Sequence, residues 1–133
     1  MKTKKVMCFG TFDLLHVGHL DYFAQAKEHA DYLIVVIARD STKKQEHKNI
    51  AFCEHERLQL ISSLKIVDEA VLGNQEDRFK IIEEQNPKLI FLGYDHPPIE
   101  QLLKEKFNIP VLRGQSYKTH QHKSSIIRDK VLG

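Results

Sequence analysis

The run Tyr32-Leu33-Ile34-Val35-Val36-Ile37-Ala38 constrains the fold more than any other stretch of the chain. It is apolar at successive positions and rich in β-branched side chains, so a strand built from it is apolar on both faces. Such a strand belongs at the centre of a parallel sheet with helices on either side. Other short apolar runs alternate with longer stretches of helical spacing. Val6–Phe9 reads as a strand ended by Gly10, Leu89–Leu92 as one ended by Gly93, and Glu69–Leu72 and Ile109–Leu112 as two short ones. Helices are predicted over Leu20–His29, Glu54–Leu64 (with Leu58, Ile61 and Leu64 on one stripe), Asp77–Gln85 (stopped by Asn86-Pro87), Ile99–Lys106 and Ser124–Leu132. Arg39–Phe52 is polar and lysine-rich, and reads as a loop. The expected class is α/β: a single Rossmann-like doubly wound domain with a five-stranded parallel sheet flanked by helices. A length of 133 residues fits one such domain and buries a core without disulfides or metal.

Sheets of this kind bind ligands at the carboxyl ends of their strands, where the strand order reverses. The segments to read closely are therefore Gly10–His19, Arg39–Lys48, Gly93–His96 and Arg113–Ser125. Composition narrows the partners. Charged residues at 29% and hydrophobic residues at 41% exclude a disordered chain. No apolar run approaches the ~20 residues of a membrane span, and the apolar stretch after the basic N-terminus is too short for a signal peptide. A cytoplasmic protein is expected, with Cys8 and Cys53 as structural thiols. The net charge is +2, and Arg113, Lys118, Lys123, Arg128 and Lys130 face only Asp129 near the C-terminus. That tail is either a solvated basic face or an anion site. Aromatic residues do not interleave with it beyond Tyr117, so nucleic acid is not expected as a partner.

Directly after the first strand comes Gly10-Thr11-Phe12-Asp13-Leu14-Leu15-His16-Val17-Gly18-His19. His16 and His19 are three apart at the entry to a helix, so both imidazoles lie on one face of its first turn. Gly18 between them allows a ligand close to the backbone. The helix N-terminus adds free N–H groups and partial positive charge. Together they form a phosphate cradle with two neutral-to-cationic donors. The plainer reading makes one histidine a helix cap and the other its neighbour.

This segment resembles the G-T-F-D-x-x-H-x-G-H signature of the cytidylyltransferase-like nucleotidyltransferases. Glu56-Arg57, Gly93-Tyr94-Asp95, and Arg113 with Ser124-Ser125-Ile126-Ile127-Arg128 resemble further elements of that family, so the likeness runs through the whole chain. The resemblance implies a phosphorylated acceptor attacking the α-phosphate of a nucleoside triphosphate, with pyrophosphate expelled. Such chemistry needs positioning and charge neutralisation rather than a protein nucleophile. By similarity His16 and His19 contact the triphosphate as catalytic residues, joined by a lysine of the loop after the second strand. Among Lys43, Lys44 and Lys48 the choice is Lys44. Gly10, Thr11, the backbone of Phe12, Asp13, Gly18, Asp95, Arg113, Tyr117, Ser124 and Ser125 are expected on the nucleotide. Asp13 is expected to orient its turn or the acceptor rather than act as a base. Asp95 is either a ligand for base, sugar or acceptor, or a turn residue before Pro97-Pro98. Arg57 is either an ion-pair anchor or a phosphate ligand, and is placed with Lys118 and His120 on the acceptor side. A divalent cation such as Mg²⁺ would arrive with the nucleotide. His120-Gln121-His122 has no companion carboxylate or cysteine and is not expected to hold a metal.

Ten residues separate Arg113 from Ser124. That spacing departs from the compact element of the glycerol-3-phosphate cytidylyltransferases. The segment resembles the archaeal FAD synthases instead, as do Ile37-Ala38-Arg39-Asp40, Val67–Gly73 and Leu92–Asp95. The implied partners are ATP and FMN. Runner-up readings are CTP with glycerol 3-phosphate, a sugar phosphate of the ADP-heptose type, and a nucleotide-binding protein without turnover. The family resemblance also implies a homodimer.

Overall fold

The computed structural model describes residues 4–41, 50–74, 77 and 79–117. Its elements run β1 (Lys5–Gly10), α1 (Val17–Lys27), β2 (Tyr32–Ile37), α2 (Glu54–Ser62), β3 (Glu69–Leu72), α3 (Lys80–Gln85), β4 (Leu89–Leu92), α4 (Glu100–Phe107) and β5 (Val111–Arg113). The predicted helix Ser124–Leu132 lies outside the described residues, and so do Lys43, Lys44 and Lys48.

The five strands pair in parallel in the order β3-β2-β1-β4-β5. Alternate residues feed two cores. Val6, Cys8, Leu33, Val35, Ile37, Leu89 and Phe91 meet Phe23 and Ala26 of α1 and Ile61 of α2. Met7, Ile34, Val36, Ile90 and Leu92 meet Ile81 and Ile82 of α3 and Leu103 of α4. This explains the doubly apolar run of β2, since helices cover both of its faces. The order reverses at β1, which has β2 on one side and β4 on the other. The carboxyl ends of β1 and β4 therefore frame the cleft of the sheet.

Local chemistry sets the ends. Asn86 and Asn108 both adopt the left-handed conformation that closes a helix, with φ of 47° and 54°, and their N–H groups return to Ile82 and Lys104. Helix α3 starts at Lys80 rather than Asp77, because the Asp77 carboxylate accepts the Phe79 N–H at 2.9 Å and holds a turn there. Strand β5 starts two residues later than predicted, at Val111, and ends one later, at Arg113. Pro110 has no N–H to offer, although its carbonyl still accepts from Ile90. Among the described residues no helix is long and apolar enough to cross a membrane.

Candidate active site

Three turns converge on the reversal point, each held by side chains bonded to backbone. The first follows β1. Phe12 takes a left-handed φ of 54°, a conformation that costs a bulky residue ~1–2 kcal/mol. Its ring is buried against Phe23 and edge-on to His19, with centroids 5.2 and 5.3 Å away. The ring also covers Gly10, where any Cβ would come within 2.5 Å of Phe12 Cζ, so glycine is required. Asp13 accepts the N–H groups of Ala51 and Phe52 at 2.7 and 2.9 Å, and these two bonds hold its carboxyl below the ordinary range. A carboxylate so engaged orients its turn and is a poor base.

The two histidines form one unit. His16 is the N-cap of α1, and its Nδ1 accepts the Gly18 N–H at 3.0 Å. His19 Nδ1 reaches back and accepts the His16 N–H at 3.1 Å. This is a capping box made of imidazoles, with the rings stacked 3.9 Å apart at 28°. A backbone N–H can only donate, so each Nδ1 carries a lone pair and each neutral ring keeps its proton on Nε2. Among the described residues nothing accepts from either Nε2–H. Gly18 also has a close neighbour within the chain. A Cβ there would come within 2.7 Å of His16 Cε1, so the glycine accommodates the His16 ring. The cap of the plainer reading is present, and it leaves the Nε2 side of both rings unused by the cap itself.

Burial, then the neighbouring His16, lower the His19 pKa to about 4. Of the neutral-to-cationic range expected for the pair, His19 therefore takes the neutral end at physiological pH. An NMR titration of the folded protein should find His19 on the Nε2–H tautomer with a midpoint about 4. The unfolded ring takes up its proton near 6.5, so this group leaves stability unaffected above that pH. Between 6.5 and 4 the unfolded chain holds the extra proton and stability falls as pH drops. A midpoint near 6.5 in the folded protein would contradict the buried, acceptor role of Nδ1.

The second turn follows β2. Arg57 of α2 is 1% exposed. Its Nε donates to Phe52 O, its Nη1 to Thr11 O and Ala38 O, and its Nη2 to Asp40 at 2.6 Å. Arg57 thus ties the ends of β1 and β2 to the start of α2. Of the two roles set out for it, the structure shows the ion-pair anchor, with its donors directed inward onto carbonyls and Asp40. Asp40 and Glu54 exchange side-chain and backbone bonds, with Arg39 paired to Glu54 at 2.9 Å.

The third turn follows β4. Arg113 forms a two-pronged pair with Glu100, both contacts 2.9 Å, and its Nη1 donates to the carbonyls of Gly93 and His96. The guanidinium brings the Glu100 carboxyl down to about 2. Arg113, expected on the nucleotide, thus braces the Gly93–His96 turn. Asp95 is exposed on that turn. Beyond β5 the chain returns to the histidines, with Tyr117 Cβ 3.9 Å from where a Gly18 Cβ would stand. Lys44, Lys118, His120, Ser124 and Ser125 lie outside the described residues.

Two residues of α1 carry no motif and were not singled out in the sequence. Tyr22 donates its hydroxyl to Phe91 O at 2.6 Å. Gln25 is buried and bonds both backbone groups of Gln115. A polar side chain among the buried positions of a helix is the only sequence signal either one offers.

The structure thus brings a helix N-terminus, two imidazoles and braced turns together at the switch point of a parallel sheet, N–H groups of the kind that suit an anion. The family model described as Cytidylyltransferase-like matches residues 7–130. The FAD synthase of Thermoplasma volcanium is 41% identical over 133 residues, covering 96% of this chain and 94% of that protein. The FAD synthase of Thermoplasma acidophilum is 40% identical with the same coverage. A crystal structure described as the lipopolysaccharide core biosynthesis protein of Thermoplasma volcanium superposes with a TM-score of 0.84 at 41% identity, covering 87% of this chain and 99% of that one. The chain belongs to the cytidylyltransferase-like family of nucleotidyltransferases.

Proposed function

We propose that the chain transfers AMP from ATP to FMN, forming FAD and pyrophosphate. One observation carries the chemistry: the stacked His16–His19 pair, whose Nδ1 atoms cap α1 and whose Nε2–H groups stay available at the switch point. The choice of ATP and FMN rests on the name FAD synthase borne by relatives that align over nearly the whole chain.

In this reading an oxygen of the FMN phosphate forms a bond to the α-phosphorus of ATP. The bond from that phosphorus to the α–β bridging oxygen breaks, and pyrophosphate leaves with the electron pair. The attacking oxygen is already ionised, so no base is needed, which suits an Asp13 occupied by two N–H groups. The imidazole donors stabilise charge growing on the phosphate oxygens. Gly10, Thr11 and Phe12 line the turn beside them, Asp95 and Tyr117 flank the cleft, and Lys44, Ser124 and Ser125 supply further phosphate contacts. Lys118 and His120 serve the acceptor. Among the described residues no three His, Cys, Asp or Glu side chains converge on a cation position. Mg²⁺ would arrive with the nucleotide and neutralise charge on its phosphates. The reading includes a homodimer in the cytoplasm. Two unpaired thiols, Cys8 buried and Cys53 exposed, fit a reducing compartment.

The second reading, a sugar-phosphate adenylyltransferase, is favoured by one finding: the similar solved structure bears a lipopolysaccharide core biosynthesis title. The test is chromatography of products from Mg²⁺-ATP with FMN, run beside ATP with a heptose 1-phosphate and CTP with glycerol 3-phosphate. FAD is the expected product. An ADP-sugar or CDP-glycerol without FAD would overturn the FMN assignment.

A further inference from the structure

Gln25 stands two turns down α1 from the histidines, and its carboxamide does the work of a strand. Its Oε1 accepts the Gln115 N–H at 2.9 Å and its Nε2 donates to Gln115 O at 3.0 Å, across 90 positions of chain. Asp21 accepts a second bond from the same Nε2 at 2.8 Å, which fixes which end of the amide is the donor. Gln25 is 6% exposed, so these bonds are shielded from water. Gly114 permits the approach, since a Cβ there would meet Phe91 at 2.9 Å and Gln25 Oε1 at 3.3 Å. The Gly114 N–H still bonds Leu92 O, but beyond it strand pairing has ended and the Gln25 amide takes over. Two residues later Tyr117 reaches Gly18, between the catalytic histidines.

We propose that Gln25 is a positioning residue for nucleotidyl transfer: it holds residues 114–117 over the His16–His19 turn and so sets the fit of the nucleotide. One helix then carries the imidazole donors at its start and the clamp for the opposite wall in its middle. The inference rests on the nucleotidyl-transfer reading of the cleft, and its test does not need the acceptor to be FMN.

The variant is Gln25→Glu, which keeps an acceptor for the Gln115 N–H but sets a carboxylate against Gln115 O and Asp21. Two burial-shielded bonds are disturbed, so KM for the nucleotide is expected to rise ~10-fold or more, with kcat changed less than ~3-fold. Exchange of the Gln115 amide should accelerate ~10-fold or more. Lys27→Met is the control. It removes the bonds of Lys27 to Asp68 and Ile66 O at the far end of the same helix, and should lower stability without changing KM. Nucleotide binding by calorimetry gives the same comparison if the wild-type protein makes no FAD. In that event the FMN assignment fails, while a ~10-fold loss of affinity in Gln25→Glu still supports the clamp. Unchanged affinity and exchange, or equal changes in Lys27→Met, would overturn it. Should Gln25→Glu not fold, Gln115→Pro breaks the pairing from the segment side, by removing the N–H that Gln25 Oε1 accepts, and is expected to raise KM likewise.

Discussion

His19→Asn lowers turnover by ~10²–10³ and leaves the melting temperature nearly unchanged. Asparagine places a side-chain oxygen close to the position of Nδ1, so it can still accept the His16 N–H, but nothing replaces the Nε2–H. His19→Gln trades one role against the other. Its one amide can either reach toward the Nε2 position and preserve part of the turnover or fold back to accept the His16 N–H, as glutamine does at the third position of a capping box. Any turnover it keeps therefore comes at the expense of that bond. His16→Asn should follow His19→Asn, because asparagine is a favoured N-cap. Single-turnover kinetics and thermal melts on the four proteins separate the two roles of each ring. If Asn and Gln variants lost activity and stability together, the assignment of Nδ1 to the fold and Nε2 to the ligand would fail.

Arg57→Met should cost about 3–4 kcal/mol of folding stability, the largest single effect expected outside the apolar core. The substitution leaves the carbonyls of Thr11, Ala38 and Phe52 without their donor and Asp40 without its cation. Burial alone would raise the Asp40 pKa, but the Glu54 N–H and the guanidinium outweigh it and hold the carboxyl low. Asp40 stays in part accessible to water, with 34% of its side chain exposed, which keeps the cost at the lower end of the range for broken buried pairs. With a slope of ~1–2 kcal/mol per molar urea, the unfolding midpoint should fall by roughly 2 M. Arg57→Lys should recover less than half, because an ammonium cannot serve carbonyls lying in several directions. A loss below ~1 kcal/mol in Arg57→Met would mean that water replaces the arginine at these carbonyls.

Patterns of apolar residues were readable, and partners of polar residues were not. The doubly apolar β2 run led directly to a central parallel strand, and the limits of β3 and β4 coincide with those expected because glycine or a turn bounds each apolar run. Helix α1 begins at Val17, three residues before the predicted start, because a histidine does the capping that Ser, Asp or Asn more often does. In the sequence Arg113 read as a nucleotide ligand, and Arg57 as either an ion-pair anchor or a phosphate ligand. Both turn onto carbonyls and a carboxylate, and nothing local to either residue encodes that choice. Gln25 reaches Gln115 across 90 positions, a pairing that exists only once β4 and β5 lie beside β1.

That last dependence follows from the strand order. The histidine turn, Asp13 and Arg57 belong to the β1–α1–β2–α2–β3 half, whereas the Gly93–His96 turn, Arg113 and Gln115 belong to the half that follows. The cleft is the seam between them, and β1 with β4 is the junction. On the proposed function a nucleotide lying in the seam would touch both halves, so its free energy of binding would also be free energy of docking one half on the other. The substrate would then act as a fastener, its binding tightening and its release loosening the joint at which β1 meets β4.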